Sequence, residues 1–216
     1  MNLPAFSDDQ PLDGTTERHG SSSPTRLLVI LIVGFFVILS VWAWQPAERF
    51  QHGDVHPAVG EAMQRFELAP LVGNETPATL DSLHGEVVLI NFWGTWCGPC
   101  LMEFPHLVEI NDRLKGEKGF RFIPVACGPG GVDIDEQALR AGTEAYLQKL
   151  ETNLDVYSDP GAGARRSLMK VARLPGFGFP TTVLINREGT IQGLWEGYQP
   201  GAEEEMEEAI KELLKS

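Results

Sequence analysis

The fold of this chain is decided by the stretch Asn91-Phe92-Trp93-Gly94-Thr95-Trp96-Cys97-Gly98-Pro99-Cys100. The apolar, β-branched run Val87-Val88-Leu89-Ile90 leads into it, and such a run is typical of a buried strand. Apolar residues then recur at helical spacing, at Leu101, Phe104, Leu107, Val108 and Leu114. The sequence therefore predicts that two cysteines lie where a buried strand passes into a helix.

This location favours redox chemistry at Cys97 and Cys100. Cys97 falls at the predicted helix N-terminus, where unpaired N–H groups and the helix dipole stabilise a thiolate, the nucleophilic form of the thiol. Cys100 follows one turn later, close enough to attack a mixed disulfide formed by Cys97. Pro99 is tolerated because the first helical turn does not need its missing N–H. The two-residue spacing also allows the pair to close reversibly into a disulfide.

A Cys-x-x-Cys pair can also be half of a zinc site. The only further cysteine is Cys127, and no histidine pair stands at zinc-finger spacing, so we predict no metal site. We interpret Cys127 as a small buried hydrophobic residue, with a resolving or regulatory thiol as the alternative. His52 and His56 are four residues apart, but Gly53 and Pro57 disfavour a helix there. We interpret these histidines as solvated residues of a linker.

The strand, the Trp-Cys-Gly-Pro-Cys motif and the helix together resemble the thioredoxin superfamily. A second signature is Gly178-Phe179-Pro180-Thr181-Thr182, a proline directly before a β-branched strand start. The CxxC motif followed by Glu103 and Pro105 looks like the membrane-tethered branch typified by TlpA and ResA. That branch has an extra segment between its central strands, and residues 127–179 are too many for a single connecting helix.

The resemblance implies roles for residues around the cysteines. In the family the proline of the second signature is cis and faces the disulfide, and here it would be Pro180. Phe179 would then border the substrate groove, with an aromatic core filler as the alternative interpretation. The predicted substrate-binding surface consists of Trp96, Gly98, Pro99, Phe179 and Pro180.

One position differs from cytosolic thioredoxin. Thioredoxin has a buried aspartate that helps to deprotonate its second cysteine, whereas this chain has Asn91, which cannot act as a base. Glu103 lies one helical turn after Cys100 and is the predicted catalytic base, with an exposed helix glutamate as the alternative. Pro105 is expected to kink the same helix because it removes a backbone hydrogen bond. We expect Trp93 to pack in the core.

Three segments precede this domain. Residues 1–26 are rich in Ser, Pro, Asp and Gly and predict a disordered cytoplasmic tail. Residues 27–44 are uncharged and apolar, just long enough to span the hydrocarbon layer, with Trp42 and Trp44 at one end. A cleaved signal peptide is the alternative, although the sequence Trp-Ala-Trp-Gln-Pro at the end of the apolar run is a poor cleavage site. Residues 45–60 form a predicted polar linker.

Residues 61–216 are predicted to form one α/β domain of thioredoxin-like fold, with a central mixed sheet and helices on both faces. Phe66 and Leu68 suggest an edge strand. Further strands are expected at residues 87–90, 120–126 and 156–158, and a short helical turn at 80–85. A hairpin is expected at 181–186 and 191–198, and helices are expected at 135–150, 164–171 and 202–215.

We therefore expect a single-pass membrane protein whose periplasmic domain is a thiol–disulfide oxidoreductase. The resemblance implies that it reduces disulfides of exported proteins, as in cytochrome c maturation. No cofactor is expected beyond the redox-active pair Cys97–Cys100. The expected partners are protein thiols and disulfides, a membrane electron donor, and the lipid bilayer through residues 27–44. The net charge of −13 argues against nucleic acid.

Two other functions remain open. A disulfide-forming oxidase is possible on the same fold, because redox direction depends on the relative stability of thiolate and disulfide. A copper metallochaperone would use both cysteines and a histidine, for which His106 and His84 are the candidates. A peroxidase lacks support, because its cysteine stands in Thr-x-x-Cys, whereas Thr95 lies only two residues before Cys97.

Overall fold

The computed structural model describes residues 28–35, 37, 53–64, 66–130 and 135–216. The predicted tail, half of the predicted anchor and half of the predicted linker lie outside these residues. Residues 28–35 and 37 are helical and their apolar side chains are mostly exposed. Within the described part of the chain, no helix combines the length and the hydropathy needed to cross a membrane. The chain divides into two units at Glu48/Arg49, and the second unit carries the sheet.

The described residues of the second unit form one seven-stranded mixed sheet. Its strands are β1 (Glu67–Val72), β2 (Ala78–Thr79), β3 (Val87–Trp93), β4 (Phe120–Ala126), β5 (Val156–Ser158), β6 (Thr181–Ile185) and β7 (Ile191–Glu196), in the spatial order β2-β1-β5-β4-β3-β6-β7. The central strand β3 runs parallel to β4 and antiparallel to β6. The predicted edge position near Phe66 and Leu68 is wrong, because β1 pairs with β2 on one side and β5 on the other.

Four helices of the described chain flank this sheet. They are α1 (Gly98–Leu114), α2 (Glu136–Lys149), α3 (Gly163–Ala172) and α4 (Ala202–Lys215), with shorter 3₁₀ turns at Gly53–Val55, Asp81–Leu83 and Pro160–Ala162. Within residues 61–216, each predicted helix and strand is present within a few residues of its predicted bounds. The segment between β4 and β6 contains α2, β5 and α3, so it forms the additional unit that the resemblance implies.

The central strand β3 separates two hydrophobic cores. All seven of its residues are buried, and their side chains alternate between the two faces of the sheet. Val87, Leu89 and Trp93 pack in one core with residues of α1, α2 and α4. Val88, Ile90 and Phe92 pack in the other core with residues of α3. This burial on both faces explains why β3 is a continuous apolar run rather than an alternating one.

The segment of residues 53–63, here called the N-terminal strap, packs along β7. Gly60 N–H donates to the Ile191 carbonyl at 2.9 Å, and Met63 N–H donates to the Gly189 carbonyl at 2.8 Å. His56 is only 4 % exposed, and its Nδ1 accepts a hydrogen bond from Ala58 N–H at 3.0 Å. The interpretation of His56 as a solvated linker residue is therefore wrong, and folded structure begins before residue 61.

Candidate active site

Cys97 and Cys100 form a disulfide at the start of α1. Their Cα atoms are 5.2 Å apart, Cys97 is the N-cap residue, and Cys100 N–H donates to Cys97 Sγ at 3.3 Å. Cys97 is 5 % exposed and Cys100 is fully buried, while Gly98 and Pro99 between them are exposed. An incoming substrate can therefore reach Cys97 but not Cys100. The backbone donor and the helix N-terminus both favour a thiolate on Cys97.

Glu103 lies in the interior, one turn after Cys100. It is only 2 % exposed, so the interpretation of an exposed helix glutamate is wrong. Its Oε2 accepts hydrogen bonds from Asn91 Nδ2 at 2.8 Å and from Thr182 Oγ1 at 3.3 Å. Asn91 and Thr182 are cross-strand partners on β3 and β6, and Asn91 Nδ2 also donates to Thr182 Oγ1 at 2.8 Å. The three side chains form one buried polar network.

This network places a carboxyl group that titrates near neutrality inside the protein. Burial raises the pKa of Glu103 to about 7, although the hydrogen bonds from Asn91 and Thr182 act to lower it. The negative charge of Glu203, in the first turn of α4, raises that pKa further. A group with such a pKa can accept and return a proton at neutral pH, which is the property expected of a general base.

Aromatic rings line the surface beside the disulfide. Trp96 is 46 % exposed, and its Nε1 donates to the Cys127 carbonyl at 2.7 Å. A side chain at Gly94 would collide with the Trp96 ring and the Cys127 carbonyl, so only glycine fits there. The ring of Phe179 lies edge-on to that of Trp96, with 5.3 Å between centroids. The Phe179–Pro180 peptide bond is cis, as the resemblance implies.

A buried ion pair packs against Phe179, and the sequence did not predict it. Arg165 Nε lies 3.0 Å from Asp159 Oδ2, and both side chains are almost fully buried. The guanidinium carbon of Arg165 lies 5.9 Å from the centre of the Phe179 ring, within the range of a cation–π contact. Phe177 also contacts Phe179, at 5.4 Å between ring centroids. The residue before the cis-proline is thus fixed by contacts from α3 and its own loop.

Pro105 leaves one carbonyl of α1 without its helical partner. In a regular helix the N–H of residue 105 would donate to the Leu101 carbonyl, but proline has no N–H. Tyr146 of α2 supplies the missing donor, with its hydroxyl 3.3 Å from the Leu101 carbonyl oxygen. The Tyr146 ring also packs near Trp93 and Phe104, which stack on each other at 3.9 Å. The inserted segment therefore supports the active-site helix, and Trp93 packs in the core as predicted.

The remaining candidates from the sequence are Cys127, His106 and His84. Cys127 is fully buried, as we interpreted it, and burial raises the pKa of its thiol to about 12. His106 stacks on Tyr198 with 6.5 Å between ring centroids, and His84 is exposed. Among the described residues, no three His, Cys, Asp or Glu side chains come together in a way that would hold a metal ion.

Comparison with known proteins agrees with this geometry. The Redoxin family model matches residues 58–210. The chain is 30 % identical over 159 residues to the thiol-disulfide oxidoreductase ResA of Halalkalibacterium halodurans, covering 72 % of this chain and 77 % of the relative. It is 26 % identical to the thioredoxin-like protein YneN of Bacillus subtilis, covering 85 % and 94 % of the two chains.

A solved structure of a related protein has a similar fold. It is a protein of Chlorobium tepidum described as the thiol:disulfide interchange protein DsbE, with a TM-score of 0.56 and 25 % identity over 72 % of this chain and 97 % of that one. The chain thus belongs to the Redoxin family, as a thiol–disulfide oxidoreductase of the ResA and DsbE type.

Proposed function

We propose that this protein reduces disulfide bonds of exported proteins, from a position outside the cytoplasm. The observation that carries the proposal is the buried Glu103 carboxyl, one turn from the buried Cys100. A reductase must deprotonate its second cysteine within the mixed disulfide, where solvent cannot reach it. The raised pKa of Glu103, at about 7, suits this task.

The reaction proceeds in two exchange steps. The Cys97 thiolate attacks the substrate disulfide, forms a mixed disulfide with one substrate sulfur and expels the other as a thiolate. Glu103 then takes the proton of the Cys100 thiol, and the Cys100 thiolate attacks Cys97 Sγ. The second substrate sulfur leaves as a thiolate, and the protein retains the Cys97–Cys100 disulfide. The two substrate thiolates take up two protons, one returned by Glu103 and one from solvent. Two electrons have passed to the substrate, and a dithiol donor must return them.

The substrate lies against the surface formed by Trp96, Gly98, Pro99, Phe179 and Pro180. Within the described residues, the main-chain N–H and carbonyl groups of Phe179 have no hydrogen-bond partner. They are available to pair with an extended substrate chain, as strand addition requires. Gly98 and Pro99 are exposed beside them, which gives the substrate access to Cys97.

The proposed location outside the cytoplasm and the proposed partners rest on the N-terminal sequence and on the family resemblance. Residues 27–44 form an uncharged apolar run that would anchor the protein in the bilayer. Apocytochrome c and other exported proteins with paired cysteines are the proposed substrates. A membrane dithiol protein is the proposed electron donor.

A redox titration tests the direction of electron flow. The protein is equilibrated in dithiothreitol buffers, and the fluorescence of Trp93 and Trp96 reports the state of the disulfide. We expect a two-electron transition near the roughly −270 mV of thioredoxin, whereas a transition near the roughly −120 mV of DsbA would indicate an oxidase instead. Cys127→Ser is the matched control and should leave the transition in place, since Cys127 is buried and free. If the Cys97→Ser variant still shows the two-electron transition, the assignment of the redox activity to Cys97 and Cys100 is refuted.

A further inference from the structure

An open cleft lies beside the cis-proline loop. Its volume is about 650 Å³, and it is lined by residues 175–179, His56, Leu194, Glu196 and Gly197. It brings together the N-terminal strap, the loop before Pro180 and the end of β7, which are far apart in sequence. Apart from Phe179, none of the residues that line this cleft has a role in the reaction described above.

The cleft borders the active site through a shared aromatic wall. Phe179 lines the cleft and also contacts Trp96, the residue that precedes Cys97, at 5.3 Å between ring centroids. Phe177, which is partly exposed, supplies further apolar surface to the cleft. A substrate chain that pairs with the Phe179 main chain would therefore place a neighbouring side chain at the cleft.

The charge in the cleft is negative. The Glu196 side chain is 39 % exposed, and its Oε2 lies 3.8 Å from Nε2 of the buried His56. His56 Nδ1 accepts the hydrogen bond from Ala58 N–H, and burial lowers the pKa of His56, so its ring is neutral at neutral pH. Within the described residues Glu196 forms no ion pair with a lysine or arginine, and Arg165 behind Phe179 is already paired with Asp159.

We propose that this cleft is a substrate subsite that binds a lysine or arginine side chain next to the reacting cysteine of the substrate. The hydrocarbon stem of the side chain packs on Phe177 and Phe179, and its cationic end pairs with Glu196. The inference rests on the proposed reductase function and adds a substrate preference to it.

Three disulfide-containing peptides that differ at one position test the subsite. The residue next to the cysteine is arginine, norleucine or glutamate, and the reduced full-length protein is assayed for kcat/KM on each. We expect kcat/KM to be roughly two- to fivefold higher for the arginine peptide than for the norleucine peptide, as a partly exposed ion pair allows. The glutamate peptide should be the slowest of the three.

Two variants assign the preference to Glu196. Glu196→Gln should bring the arginine-to-norleucine ratio close to one, and Glu196→Lys should make the glutamate peptide preferred over the arginine peptide. Glu188→Gln is the matched control, because Glu188 is exposed in the β6–β7 turn at the opposite end of the hairpin from Pro180. It makes the same change in net charge and should leave the ratio unchanged.

The outcomes separate this inference from the function on which it rests. If the reduced protein reduces none of the peptides, the reductase function fails. If it reduces all three with equal kcat/KM, or if the arginine preference survives in Glu196→Gln, the subsite is refuted while the reductase function stands. If Glu188→Gln lowers the ratio as much as Glu196→Gln does, the preference comes from net charge and not from the cleft.

Discussion

Glu103 couples the stability of the oxidised protein to pH. Its folded-state pKa of about 7 lies above the ordinary value of 4.5, so the folded protein binds this proton more tightly than the unfolded chain does. The stabilisation is complete below about pH 4.5 and is lost as the pH rises to about 7. Integrated over this window, the contribution of Glu103 to the free energy of unfolding falls by about 3 kcal/mol.

Comparison with Glu103→Gln isolates this contribution. Urea unfolding of both proteins at pH 4.5 and pH 7.5 gives the change in the free energy of unfolding for each, and the difference between the two changes belongs to residue 103. The comparison is needed because burial lowers the pKa of His56, whose contribution has the opposite sign over an overlapping range of pH. Equal pH dependence in the two proteins would contradict a buried, titrating Glu103.

The strand β3 and the helix α1 show what local sequence can predict and what it cannot. The apolar run, the CxxC motif and the spacing of Glu103 from Cys100 all lie within one short stretch, so the position of the disulfide could be predicted. The hydrogen bond from Thr182 could not, because Thr182 lies 79 residues after Glu103. The pairing of β6 with β3 places Thr182 opposite Asn91. This contact becomes predictable only when the strand pairing is known.

The contact between the helices α2 and α1 gives a second prediction. Tyr146→Phe removes the hydroxyl that donates to the Leu101 carbonyl but keeps the ring, so the free energy of unfolding should fall by about 1 kcal/mol. In a Pro105→Ala background, residue 105 has its own N–H to donate to that carbonyl, and the loss should be smaller. Urea unfolding of the four proteins gives the coupling energy between the two sites. An equal loss in both backgrounds would show that Tyr146 does not replace the missing helical donor.

Across the whole molecule, the sequence predicted the order of the elements better than the contacts between distant ones. The alternation of strands and helices and the cis-proline signature were enough for the thioredoxin-like fold. The buried pair of Arg165 and Asp159 was missed because charged residues are usually solvated. The N-terminal strap was missed because its two glycines and Pro57 are typical of a linker. Its structure depends on hydrogen bonds to β7, more than 100 residues later in the sequence.

The strap gives a prediction for the limits of the folded unit. Gly53 is buried against the Trp195 ring, and its N–H donates to Glu205 Oε1 at 2.8 Å. A Cβ atom at residue 53 would collide with that ring, so Gly53→Ala should lower the free energy of unfolding by about 1–3 kcal/mol. Gly116→Ala is the matched control, because a Cβ atom there meets nothing within 4 Å. Urea unfolding measures both variants. If they unfold at the same urea concentration, residue 53 is not packed on Trp195, and the folded domain begins further along the chain.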